Sequence, residues 1–69
     1  MLKPYKIEYD EEHKMYYATE LNNISGKEKY YRVAGTMYQQ ETEVIRHLKR
    51  YYNILEQDIE KYNKPEIDI

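Results

Sequence analysis

Sixty-nine residues make one small domain, close to the size at which a hydrophobic core alone stops holding a fold. Hydrophobic residues are 41% of the chain and ten of them are tyrosines; each hydroxyl needs a partner or water, so a thin core with tyrosines at its rim is expected. Eleven basic and thirteen acidic residues leave a net charge of −2, which excludes generic duplex binding through a concentrated basic field and equally a strongly acidic DNA mimic.

The absence of cysteine removes disulfides, thiolate chemistry and Cys-based zinc sites. The opening MLKPYKIEYD carries no apolar signal core, and no segment approaches the about 18 apolar residues of a membrane span. A cytoplasmic protein with no membrane partner is the expectation.

Residues 5–10, YKIEYD, alternate apolar and charged side chains with period two, the pattern of a half-buried strand. DEEHK follows as a polar turn. KMYYATEL at 14–21 and EKYYRVA at 28–34 read as second and third strands, and between them Asn22, Asn23, Ser25 and Gly26 supply turn chemistry. Alternation is expected to place Tyr5, Ile7, Tyr9, Met15, Tyr17, Leu21, Tyr31 and Val33 on one face, with Lys6, Glu8, Tyr16, Ala18, Glu20, Tyr30 and Arg32 on the other. Each tandem tyrosine pair within a strand then splits, one ring packing and one facing out.

After Gly35 the period becomes helical. Thr36 with Gln39 has the spacing of a capping box. Ile45, Leu48, Tyr52, Leu55, Ile59 and Tyr62 then step by 3, 4, 3, 4 and 3 residues, with Val44 and Tyr51 widening the stripe. Asn63 and Pro65 are expected to end this helix, and Asn53 with Glu56 offers a second cap that would put a kink near Tyr52. The tail EIDI fits either a short fourth strand or a disordered end. The expected architecture is therefore α+β: a three-stranded antiparallel sheet over 1–35 packed against one long C-terminal helix over 36–64, with a tail at 65–69, all in one domain.

Length adds a second expectation. A helix from about residue 37 to 63 runs ~40 Å, whereas a seven-residue strand runs ~23 Å. The distal helix would outgrow the sheet, and its apolar stripe, Leu48, Tyr52, Leu55, Ile59 and Tyr62, would need a further apolar surface, either the same helix of a second chain as a homodimer interface or a partner protein.

No catalytic or metal motif emerges. His13 lies among Asp10, Glu11 and Glu12 in the first turn, and His47 lies between Arg46 and Lys49; neither has the spacing of paired metal ligands, and each reads most simply as a surface residue. Ser25, the sole serine, sits in a turn without a nucleophile elbow. One sheet with one helix offers little of the concavity that acid/base chemistry needs. A non-enzymatic protein without cofactor or metal is expected. The basic run RHLKR places Arg46, Lys49 and Arg50 away from the apolar stripe, with Glu43 spaced to pair with Arg46 or His47.

The stretches YYATELNNISGK and VAGTMYQQETEVIRHL resemble the HicB family of antitoxins. Tyr17 and Ala18 match an aromatic and an alanine on the family's second strand, Ile24 and Gly26 match its turn, and Gly35 with Thr36 matches the segment that opens its helix. The resemblance covers roughly residues 5–50. It implies three antiparallel strands, a helix and often a last strand, and a role in binding and masking a small toxin nuclease with no cofactor.

Function is thus expected to be steric. The chain reads as a protein-binding module, either an antitoxin-like blocker or a phage or mobile-element inhibitor of a host nucleic-acid enzyme such as a CRISPR nuclease, with Tyr16, Tyr30, Arg32, Arg46, Lys49 and Arg50 as partner-binding residues. The rival reading is a single-stranded nucleic-acid binder that stacks bases on the exposed Tyr and Arg side chains of the sheet.

Overall fold

The period-two run forms β1 (Tyr5–Asp10), which pairs antiparallel with β2 (Met15–Ile24), and β2 pairs antiparallel with β3 (Lys27–Arg32). The computed structural model describes residues 2–62. One helix, α1 (Glu41–Tyr51), covers one side of the sheet, and a short β4 (Ile59–Glu60) pairs parallel with β1, giving the order β3-β2-β1-β4. The class is α+β, as the patterning indicates.

Both hairpin loops follow from local chemistry. Asp10 Oδ1 accepts the backbone N–H groups of Glu12 and His13 at 2.9 and 3.2 Å, and Lys14, with φ of 58°, turns the chain back so that Met15 pairs with Asp10. Such side-chain-closed turns are what aspartate favours. In the second hairpin Ser25 and Gly26 have φ of 57° and 78°, the two left-handed residues that match the twist of a tight hairpin.

The first turn also decides the faces of β2. Directly opposed residues in an antiparallel pair share a face, and Ile7 opposes Ala18 while Tyr9 opposes Tyr16. Tyr16, Ala18 and Glu20 therefore lie on the helix side with Tyr5, Ile7 and Tyr9, whereas Met15, Tyr17 and Leu21 lie on the open side. This reverses the expected assignment for β2, because a one-residue change of register exchanges every side chain between faces. Fully buried Ala18 sits in the strand beneath α1, where a small side chain lets the helix come close.

Past β3 the chain stays beside β2 without forming a regular ladder. Val33 N–H donates to the Ala18 carbonyl at 2.9 Å, and Tyr16 and Tyr38 exchange both backbone bonds at 2.7 and 2.8 Å. Between these points the chain swings out through Gly35, whose φ is 74°, and the buried Thr36 hydroxyl fills the gap. It accepts the Ala18 N–H at 3.0 Å and donates to the Val33 carbonyl at 2.6 Å. The expected capping box is thus corrected: the Thr36 hydroxyl is committed to the sheet, and α1 begins after Gln40, which makes no side-chain cap.

The expected helix over 36–64 is also corrected, to Glu41–Tyr51. Its end lies where a kink was anticipated. Asn53 takes φ of 58°, a left-handed conformation that asparagine adopts more readily than most residues, and the Leu48 carbonyl accepts the N–H groups of Tyr52 and Ile54 at 3.1 and 3.2 Å. From Leu55 the chain makes one 3-10 turn (Glu56–Asp58) and enters β4. Lys49 and Lys61 both reach the Glu56 carboxylate, at 3.0 and 3.1 Å, and their hydrogen bonds, led by that of Lys49, hold it below the usual carboxylate range.

Among the described residues α1 has no overhang beyond the sheet, so the stripe expected to form a dimer interface divides. Leu48 and Ile59 are fully buried with Ile7, Ala18, Val44 and Ile45, and Tyr62 packs against that core; only Tyr52 and Leu55 remain exposed. Burying an aliphatic side chain of this size contributes about 1.5–3 kcal/mol, and this gain is made within the chain. The expected tail at 65–69 and the stops at Asn63 and Pro65 lie outside the described residues. The fourth strand that is present is Ile59–Glu60.

Candidate functional site

Helix α1 covers one face of the sheet and leaves the other open. Cross-strand register places Lys6, Glu8 and Asp10 of β1, Met15, Tyr17, Thr19 and Leu21 of β2, and Tyr30 and Arg32 of β3 on that open face. Arg32 crosses β2: its guanidinium lies 4.1 Å from the Tyr17 ring centroid and ends 3.6 Å from the Asp10 carboxylate. The Lys6 ammonium lies 5.5 Å from the Tyr30 ring centroid, and the Tyr30 hydroxyl donates to the Lys3 carbonyl at 2.7 Å. Thr19 donates to the Lys6 carbonyl at 2.8 Å. Cation and ring hold each other in place, so these side chains lose less freedom when a partner docks.

Asp10 anchors one end of this array. Its side chain is 15% exposed and meets His13 Nδ1 at 2.8 Å. The hydrogen bond to His13 is the main cause that holds the carboxyl below its ordinary range, against a smaller upward push from burial. A depressed carboxylate contributes stability above its unfolded titration point and loses it as pH falls through the folded one. In His13→Ala the Asp10 midpoint is expected to rise toward the ordinary range, narrowing that acid-side contribution. Carboxyl-carbon NMR titration checks this, and an unmoved midpoint refutes the assignment to His13.

The residues expected to bind a partner do not form one surface. Tyr30 and Arg32 lie on the open face. Tyr16 does not: it sits on the helix side, its ring 4.8 Å from Tyr9 and 5.7 Å from Tyr62, against the core. Tyr17 holds the place on the open face expected for Tyr16. Arg46, Lys49 and Arg50 lie on the exposed side of α1, across the molecule from the sheet face. Lys49 is occupied by Glu56; among the described residues neither Arg46 nor Arg50 makes an ion pair, and the pairing expected of Glu43 is absent.

Beside α1 the sequence reading missed a second arrangement. His47 is half-buried rather than simply on the surface, and its Nδ1 lies 2.8 Å from the Tyr38 hydroxyl. Tyr51 and Tyr52 flank the imidazole, with ring centroids at 4.8 and 5.6 Å. Tyr38, Glu43, Arg46, His47, Arg50 and Tyr51 line a groove of about 300 Å³. The link between Tyr38 and His47 runs through the loop that bridges to β2, which helical periodicity alone does not reveal.

Among the described residues no group of three or more His, Cys, Asp or Glu side chains is placed to hold a metal ion, and no helix is long and apolar enough to cross a membrane. The architecture is a two-layer α+β fold in which, among the described residues, no element covers the second sheet face. The chain matches no family model, no curated protein and no solved structure.

Proposed function

We propose that this chain is a cytoplasmic, non-enzymatic binding module that inhibits a partner protein sterically by laying the open face of its sheet against it. The observation that carries the reading is the ordered array of Tyr17, Arg32 and Asp10 beside Tyr30 and Lys6. Tyrosine and arginine dominate binding energy at protein interfaces, and here Met15 and Leu21 add apolar surface toward the two ends of the array. The element order of three antiparallel strands, a helix and a last strand is compatible with the HicB resemblance, and on that resemblance the partner class we propose is a toxin nuclease or another nucleic-acid enzyme.

The stacked Tyr17 and Arg32 also suit the bases of a single strand, the second reading. Lys6 and Arg32 share the face with Glu8 and Asp10, so it offers a polyphosphate little net attraction.

Affinity capture from the native host tests both readings. The double variant Tyr17→Ala with Arg32→Ala is expected to remain folded by circular dichroism and to lose the captured protein by at least about tenfold, the effect of removing two interface anchors. Undiminished capture would exclude the sheet face. Titration with labelled single-stranded oligonucleotides at two salt concentrations gives the other arm: steeply salt-dependent binding at micromolar protein that Tyr17→Ala removes would replace the protein-binding reading.

A further inference from the structure

The groove beside α1 has features that the fold does not require. Tyr51 is 67% exposed although it stands next to the buried helix face. Its ring is nevertheless held in place, with His47 at 4.8 Å and the Arg50 guanidinium 5.7 Å from its centroid. Arg46 and Arg50 are one helical turn apart on this groove and are unpaired among the described residues, whereas Glu43 is the one carboxylate lining it. An overall acidic chain thus keeps a locally basic, aromatic strip on a rigid element, away from the sheet face.

We propose that this groove is a second docking site, for an acidic polypeptide segment bearing an apolar or aromatic side chain. Carboxylates of the segment pair with Arg46 and Arg50, which form two-pronged hydrogen bonds to such groups, and the apolar side chain packs on Tyr51 beside His47. Charge decides between occupants. A second copy would bring the same net-positive strip against itself, and a nucleic acid would press a continuous run of phosphates on Glu43 as well as on the two arginines; a short segment can set its carboxylates at the arginines alone and offer Glu43 a backbone N–H. The proposal is independent of the sheet face, and together the two sites would let one molecule hold two partner segments at once.

The test is a fluorescence-anisotropy titration of the whole chain with a labelled nine-residue peptide of glutamates around one central tryptophan, followed by amide NMR mapping. Saturable binding is expected, with amide shifts concentrated at Tyr38 and along α1. Arg46→Glu with Arg50→Glu should weaken it by at least about tenfold, while Tyr17→Ala with Arg32→Ala should leave it unchanged. All four substitutions are at exposed or half-exposed positions, and circular dichroism verifies that each variant is folded. Absence of saturable binding, binding indifferent to the arginine reversal, or shifts confined to the sheet face would each overturn the proposal. Tighter binding of a ten-nucleotide single strand than of the peptide at the same groove would also overturn it, in favour of nucleic acid.

Discussion

Thr36→Val is expected to destabilise the chain by about 2–4 kcal/mol, because the substitution keeps the shape of the side chain and removes its hydroxyl from two backbone groups. The Ala18 N–H and the Val33 carbonyl then lose the oxygen that now stands 3.0 and 2.6 Å away. Thr36 is 1% exposed, so bulk solvent is not at hand to replace the hydroxyl, and the Ala18 N–H in particular loses its partner. A domain under about 70–80 residues rarely has more than 3–5 kcal/mol in hand, so the variant sits near the edge of unfolding. Thermal denaturation should show a midpoint lower by roughly 10–30 °C, and Thr36→Ser, which keeps the hydroxyl, should recover most of the loss. A valine variant within about 0.5 kcal/mol of the parent would show that the hydroxyl does not carry this edge.

The same hydroxyl connects the sheet to the groove. It holds the strand-to-helix segment against β2, and two residues later that segment pairs with Tyr16 and presents the Tyr38 hydroxyl to His47. Loosening Thr36 therefore acts on the aromatic wall beside α1 as well as on the β2 backbone at Ala18. A Thr36→Ser variant that keeps stability should also keep peptide binding at the groove, which ties the two observations to one oxygen.

The β1 strand was legible because its alternation is unambiguous: Tyr5, Ile7 and Tyr9 carry the bulk and Lys6, Glu8 and Asp10 carry the charge. The third strand was legible in the same way, since Tyr30 and Arg32 do lie opposite the helix. In β2 the letters MYYATEL offer a large side chain at either parity, and side-chain size favoured the wrong one. Parity is set instead by the Asp10 turn and by the need for a small residue, Ala18, under the helix; neither follows from alternation within β2. The helix length failed for a related reason. Leu55, Ile59 and Tyr62 continue the heptad spacing of Ile45 and Leu48 although the backbone leaves the helix at Asn53, and a strand residue at the right distance is indistinguishable in period from another helical turn. The left-handed Asn53 was the signal, and a residue type that also suits caps gave it two meanings.

Ile59→Ala carries the sharpest consequence of that ending. Ile59 is 1% exposed in β4 and belongs to the core with Ile7 and Leu48, so truncation leaves a cavity and is expected to cost about 2–4 kcal/mol, within the range for buried isoleucine. Leu55, four residues earlier on the supposed stripe, is 59% exposed, and Leu55→Ala should stay within about 0.5 kcal/mol of the parent. A continuous helix would instead give the two residues equivalent places on a shared interface, and both truncations would weaken self-association with similar effect. Urea denaturation at two protein concentrations separates these outcomes: the fold predicts a lower midpoint for Ile59→Ala alone, independent of concentration, and the slope of free energy against urea unchanged. Equal losses for the two variants, rising as the protein is diluted, would mean that β4 does not close this core within a single chain.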